Sequence, residues 1–333
     1  MADERSTVRA GRPMTSVVVS VRGWNRERLP ELLGALGGQT VAAERMEVVV
    51  VDNDPPPAGR VGAIVHSRPW PFAVRVLREP RAGLSAGKNR GIAAARGEYV
   101  AFVDPDVLPD PEWLAALTDA IETEGVFAVG GRTTAVYPEG VRFLSPVLAE
   151  CHGAVRWPSH RAPATWPFWV TGCNLVFHRE TALKIGLLRT DLGRRGRWMG
   201  DCEDLEFLDR ARQRGHTVLV EPSAHAVHPI YRDETTLAYY LRQGVGHGVS
   251  LARMHTSVHV EPAAIRAGRR DVVDALGRLI GAWGFTSPTD AVAGLRDLVR
   301  IAAYRAEKTR LRLTGRRLLP TRPMTDPTEE KHP

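Results

Sequence analysis

"SVVVSVRGWNRERLPELLGALGGQTVAAERMEVVVVD", residues 16 to 52, decides the fold. Its two ends, "SVVVSV" (16–21) and "MEVVVVD" (46–52), are almost unbroken β-branched runs, the pattern of strands covered on both faces in a parallel sheet. Between them Leu29, Leu32, Leu33 and Leu36 recur at helical spacing and stop at Gly37-Gly38. The stretch is therefore a βαβ unit. Outward from it, "FAVRVLRE" (72–79) reads as a third strand, "SAGKNRGIAAARG" (85–97) as a helix capped by Ser85, and "YVAFVD" (99–104) as a fourth strand. Such alternation predicts an α/β domain whose ligands bind at the carboxyl ends of the strands, and those ends carry Arg22, Asp52 and Asp104.

Composition sets the outer limits. The 333 residues are 43% hydrophobic and 25% charged, ordinary for a globular protein. No run of about 18 apolar residues occurs and no signal-type segment opens the chain, so a cytoplasmic protein is expected. Three cysteines, Cys151, Cys173 and Cys202, form no CxxC pair and read as buried thiols. The net charge of +7 is concentrated late, between Arg296 and Arg317. Only Tyr304 is interleaved with that cluster, which argues against nucleic acid. Its apolar stripe, Val292, Leu295, Leu298, Val299 and Ala302, leaves two readings: packing on the domain, or peripheral contact with an anionic membrane.

Acidic groups carry the chemistry. In Asp104-Pro105-Asp106, side chains two apart in an extended segment address one ligand, and a hard cation wants one or two carboxylates plus phosphate oxygens. The same residues also suit a capped turn before "PEWLAALTDAI". A second cluster, Asp201, Glu203, Asp204 and Glu206, opens a helix ending near Gly215, where crowding raises carboxylate pKa values. His225 and His228 follow the next strand. Gly244, Gly246 and Gly248 fall in a helical stretch, so no dinucleotide GxGxxG is present.

In this order, "EVVVVDND", "RAGLSAGKNRGIAAARGEYVAFVDPDVLPDPEWL", "GCNLVFHRE" and "EDLEFLDRARQRGH" resemble the family 2 glycosyltransferases, inverting sugar-nucleotide-dependent enzymes of GT-A fold, over roughly residues 15 to 250. The resemblance implies a Rossmann-like, mainly parallel central sheet flanked by helices, with a C-terminal helical extension. With the apolar-poor ends read from the sequence itself, the chain divides into a flexible 1–14, a catalytic domain 15–234 (nucleotide half about 15–110, acceptor half about 111–234), a helical region 235–319 and a 320–333 tail expected to be disordered because it has almost nothing to bury. The resemblance implies Asp204 as general base beside Glu203. Asp52, Lys88, Asn89 and Asp104, with Arg22 and Trp24, would hold the nucleotide sugar. Asp106, Asp104 and His228 would hold Mn2+ or Mg2+. The chain has Arg22-Gly23-Trp24-Asn25-Arg26 where the family usually reads Pro-Thr-Tyr-Asn-Arg, so a UDP-sugar is only the default donor. Asn53 stands where an aspartate is frequent, and Gln243 lacks the Arg-Trp of processive synthases, implying transfer of one or a few sugars. Trp157 and Trp166, on the 137–167 loop, are candidates to stack on a sugar or to join the core.

Overall fold

The computed structural model describes residues 13–54, 60–153, 156–165, 168–258, 269–281 and 288–316, without the side chain of Trp24. The expected flexible N-terminus up to residue 12, the disordered tail at 320–333 and Trp166 lie outside these residues. The strands are β1 Thr15–Val21, β2 Met46–Asp52, β3 Ala73–Arg78, β4 Tyr99–Val103, β5 Leu108–Pro109, β6 Val126–Val136, β7 Ala162–Pro163, β8 Asn174–His178 and β9 Thr217–Pro229. The helices are α1 Leu29–Gly37, α2 Arg60–Val65, α3 Leu84–Ala94, α4 Trp113–Ile121, α5 Pro146–Ala149, α6 Arg179–Ile185, α7 Glu203–Arg212, α8 Leu237–Met254, α9 Arg269–Gly281 and α10 Pro288–Leu313.

One sheet runs β3-β2-β1-β4-β8-β6-β9-β5, with β7 paired to β9. Its first four strands are parallel, β8 is antiparallel to both neighbours, and β6 and β9 are parallel. The unbroken valines serve two cores at once. Val17, Val19, Val21, Val48 and Val50 face a core closed by α1 and α4, while Val18, Val49 and Val51 face another holding Ile92 of α3 and Phe207 of α7. Alternate side chains leave a strand on opposite faces, so only a strand covered on both can be apolar throughout. The order reverses at β1, whose neighbours β2 and β4 are reached by opposite paths. That switch point opens a crevice at the carboxyl ends of β1, β2 and β4.

Glycines at i, i+4 hold α3 against β1. A Cβ on Gly87 would meet Ser20 Oγ at 2.1 Å and one on Gly91 would meet Val18 Cγ1 at 2.2 Å. Expectation and structure differ at the start of α3. Gly83, with φ 143°, is the N-cap, and Ser85 instead donates its hydroxyl to the Leu192 carbonyl at 2.9 Å.

β9 also exceeds its expected length, taking in His225 and His228, because β6 continues alongside it past irregularities in the register. In the C-terminal region, Gly244 and Gly248 of α8 lie against the backbone of Arg296 and Arg300 on α10, and Gly246 lies against Met199. These glycines set a close helix approach rather than a phosphate loop. Val292, Ala293, Ile301, Tyr304 and Leu311 of α10 are buried. Arg296 and Arg300 are buried too, Arg296 ion-paired to Asp297 at 2.8 Å, so the arginines are not uniformly a solvated face.

Replacing Gly91 by Ala overpacks the α3–β1 contact and should cost about 1–3 kcal/mol in urea unfolding. Gly62→Ala is the contrast, because nothing lies within 4 Å of a Cβ there. Its helical position should make it neutral or stabilising by up to about 1 kcal/mol.

Candidate active site

At the mouth of the crevice, Asp52 is 4% exposed and pairs with Arg78 at 3.0 Å. Asp54, which the sequence reading passed over, accepts from the Gly23 amide and pairs with Arg26 at 2.9 Å, pinning the loop after β1. Its place as a third polar residue after β2 was the available signal. Asn53 accepts from the Gly83 amide at 2.9 Å while donating to the Glu79 and Arg81 carbonyls at 2.9 and 2.7 Å. An aspartate there, having no donor when ionised, could not make the last two bonds. Among the described residues, the buried Nη1 of Arg22 has no hydrogen-bond partner.

Lys88 is the centre of the site. Its ammonium, 2% exposed, donates to the Gly172 carbonyl at 3.0 Å and lies 3.8 Å from both Asp104 Oδ1 and Glu203 Oε1, with the Phe102 ring centroid at 5.1 Å. Burial pulls its pKa down, but the charges of Asp104, Glu203 and Asp204 more than reverse this, and it ends above the ordinary lysine value. Lys88 therefore sits beneath the carboxylates and joins the two acidic clusters. Asn89 spends both amide atoms on Leu188, donating to its carbonyl at 2.8 Å and accepting from its amide at 3.0 Å, so it serves the chain rather than facing a nucleotide.

On the far side, Asp204 accepts from the Leu205 amide at 2.8 Å and from the Gly172 amide. A Cβ on Gly172 would stand 2.9 Å from Asp204 Oδ2 and 3.0 Å from Lys88 Nζ, which explains the glycine of "GCNLVFHRE". Burial raises the Asp204 pKa, opposed by Lys88. Burial, reinforced by the charge of Asp204, pushes Glu203 up to about 7. Glu206 is fully buried and paired with Arg210 at 3.0 Å, a structural contact.

Asp104-Pro105-Asp106 is a turn, not the extended segment expected, closed by a Val107 amide donating to the Asp104 carbonyl at 3.0 Å with proline at the favoured second position. The pair both turns the chain and holds charge. Burial, with Asp104 adding to it and His228 opposing, pushes Asp106 up to about 6. Asp104 Oδ1 is buried without a hydrogen bond among the described residues. Two carboxylates and an imidazole are the donor types a hard divalent cation takes, and the charges of Asp104 and His228 both act on Asp106, although their donor atoms do not gather within 4.8 Å of one another. His225 is excluded, since its ring bonds Thr134 at 2.9 Å and Asp110 at 2.7 Å.

Among the described residues one tighter group, Asp201, Cys202 and His247, brings donor atoms within 4.8 Å of one another. It satisfies itself. His247 bonds Asp201 at 2.7 Å, and the buried Cys202 thiol, its pKa raised well above normal by burial, donates to Asp201 at 3.1 Å. All three cysteines are free, Cys202 buried and the other two half-buried.

A segment missed from sequence lies between the α3 N-terminus and the start of α7. Gly193 and Gly196 take φ of 82° and 61°, and Arg195 bridges to Trp198. The Arg194 carbonyl accepts from the Leu84 amide at 2.9 Å, at the N-terminus of α3. The Arg194 guanidinium donates to Tyr239 at 3.1 Å and lies 4.0 Å from Glu234. Only the glycines of "LGRRGRWMG" marked this turn. Trp157 packs against the second core.

Residues 16–163 match the family described as Glycosyl transferase family 2. The succinoglycan biosynthesis protein ExoM of Rhizobium meliloti is 29% identical over 250 residues, 70% of this chain and 74% of its own. The glycosyltransferase AglE of Haloferax volcanii is 30% identical over 128 residues, 38% of this chain and 42% of its own. Among solved structures, mannosyltransferase PcManGT from Pyrobaculum calidifontis, in complex with GDP-Man and Mn2+, aligns with a TM-score of 0.58 at 19% identity, covering 92% of this chain and 88% of that one. TarS 1-349 of S. aureus with UDP-GlcNAc aligns at 0.54 and 17%, covering 90% and 92%. The chain has the GT-A fold, and these matches support a glycosyltransferase of family 2.

Proposed function

We propose that the protein transfers a sugar from a nucleoside-diphosphate sugar to an acceptor hydroxyl with inversion, Asp204 serving as general base. The observation that carries this reading is the convergence of Asp104, Glu203 and Asp204 on one buried Lys88, beside Asp106 and His228 and at the strand ends that bear Asp52 and Arg22. Asp52 and the unpaired Nη1 of Arg22 address the nucleotide. The base stays open, with UDP as the default, since the neighbours' ligands are GDP-Man in one case and UDP-GlcNAc in the other.

Asp106, Asp104 and His228 would hold Mn2+ or Mg2+, which when bound neutralises charge on the departing diphosphate. The remaining work falls to the chain. An acceptor hydroxyl is a poor nucleophile until a carboxylate within hydrogen-bond reach takes its proton. Asp204 is less buried than Glu203, and the Leu205 and Gly172 amides aim it. Glu203 keeps its place at Lys88, and Lys88 keeps the pair ionisable. With the base on one side of the anomeric carbon and the diphosphate on the other, displacement is single and inverting, as in inverting glycoside hydrolysis. The succinoglycan-biosynthesis relative favours a glycan or its precursor as acceptor.

Transfer from sugar nucleotides, assayed with and without manganese, tests the reading. Asp204→Asn should lower kcat by about 10²–10⁴ with substrate binding retained, and Asp106→Ala should abolish stimulation by manganese. Wild-type turnover in both variants would refute the assignment.

A pH profile tests the electrostatics. The base works ionised and burial raises its pKa, so activity should fall as pH drops, with the acidic limb lying above the ordinary aspartate range. Lys88→Met removes the charge that lowers both acids, so the acidic limb should move to higher pH by about one unit or more. A limb that stays put would separate Lys88 from the base.

A further inference from the structure

We infer that α9, rather than the more basic α10, is a membrane-docking surface that seats the protein on an anionic lipid bilayer. The sequence reading offered α10 for this role, but Val292, Ala293, Ile301, Tyr304 and Leu311 on it are buried, Leu295, Leu298 and Val299 are half-buried, and α8 and α9 pack against it. On α9 the opposite holds. Ala275 is fully buried, and its carbonyl would stand 2.6 Å from a Cβ on Gly294 of α10. Arg278 adds an ion pair to Asp297 at 2.6 Å. One face of α9 is therefore fixed to the body of the protein.

The face turned away from α10 is apolar. Val273, Leu276 and Ile280 are 59%, 38% and 64% exposed, and their spacing of three and four residues aligns them in one stripe, with exposed Gly277 beside it. A solvated helix of a soluble protein carries polar residues on that face. Two exposed cations, Arg269 and Arg270, begin the helix beside the stripe, and exposed Asp274 lies at its margin. Apolar residues flanked by arginines are the composition of a helix lying in the plane of a lipid interface, where acyl chains cover the stripe and anionic headgroups meet the guanidinium groups. At 1.5 Å per residue the 13 residues of α9 give a contact about 20 Å long. The excess of +7 over the whole chain favours the same negatively charged partner.

Cosedimentation of the full chain with vesicles tests the assignment independently of transferase activity. Binding to phosphatidylcholine vesicles containing phosphatidylglycerol should exceed binding to phosphatidylcholine alone and should fall as salt rises. Val273→Asp with Ile280→Asp should weaken it by about tenfold or more while leaving the circular dichroism spectrum and Tm unchanged, since both positions are exposed. Arg269→Gln and Arg270→Gln should each weaken it by about fivefold and flatten the salt dependence. No binding by the wild type, or equal binding by the double aspartate variant, would overturn the inference. A wild-type dimer in light scattering that the double variant dissolves, without vesicle binding, would overturn it too, assigning the stripe to a second copy of the chain.

Discussion

A buried ammonium among carboxylates organises this protein. Lys88 can keep its proton at 2% exposure only because Asp104, Glu203 and Asp204 surround it, and those acids can share so little water only because Lys88 lies between them. The arrangement ties three distant parts of the chain: the first turn of α3, the end of β4 and the start of α7. Gly172 completes it, offering its carbonyl to Lys88 and its amide to Asp204 at a separation that any side chain would spoil.

The same economy recurs where backbone approaches backbone. Gly87 and Gly91 let α3 lie close on β1, and Gly244, Gly246 and Gly248 let α8 reach both α10 and the Met199 turn. Through that second contact the C-terminal helices brace the segment carrying Arg194 and leading into Asp201, Cys202 and Glu203. The Arg296–Asp297–Arg278 ion pairs and Gln243, which accepts from Arg296 at 2.9 Å, fill the interface with charge. The helical region thus supports the acidic cluster structurally and still leaves one face of α9 open.

Local pattern was enough for the sheet's first half and for the acids at its edge. Continuous valines force burial on both faces, and leucines at helical spacing force α1 against one of them. What pattern misjudged were hydrogen bonds between residues far apart in the chain. Ser85 reads as a cap but bonds Leu192, and Asn89 reads as a nucleotide contact but bonds Leu188; His225, to which the resemblance gives no role, bonds Thr134 and Asp110. Each has a polar side chain whose partner lies roughly 90 to 115 residues away, beyond what spacing along the chain can disclose.

By itself the sequence determined the α/β alternation, the strand ends on which Asp52 and Asp104 sit, and the two acidic clusters, because periodicity and turn chemistry are local. Only the tertiary structure decided that Lys88 lies under the acids, that Asp104-Pro105-Asp106 is a turn, that the Arg194 carbonyl meets the first amide of α3, and that α9 leaves an apolar stripe exposed while α10 buries much of its own. Those outcomes depend on which surfaces meet, and burial and charge pairing are properties of the packed molecule rather than of any segment of it.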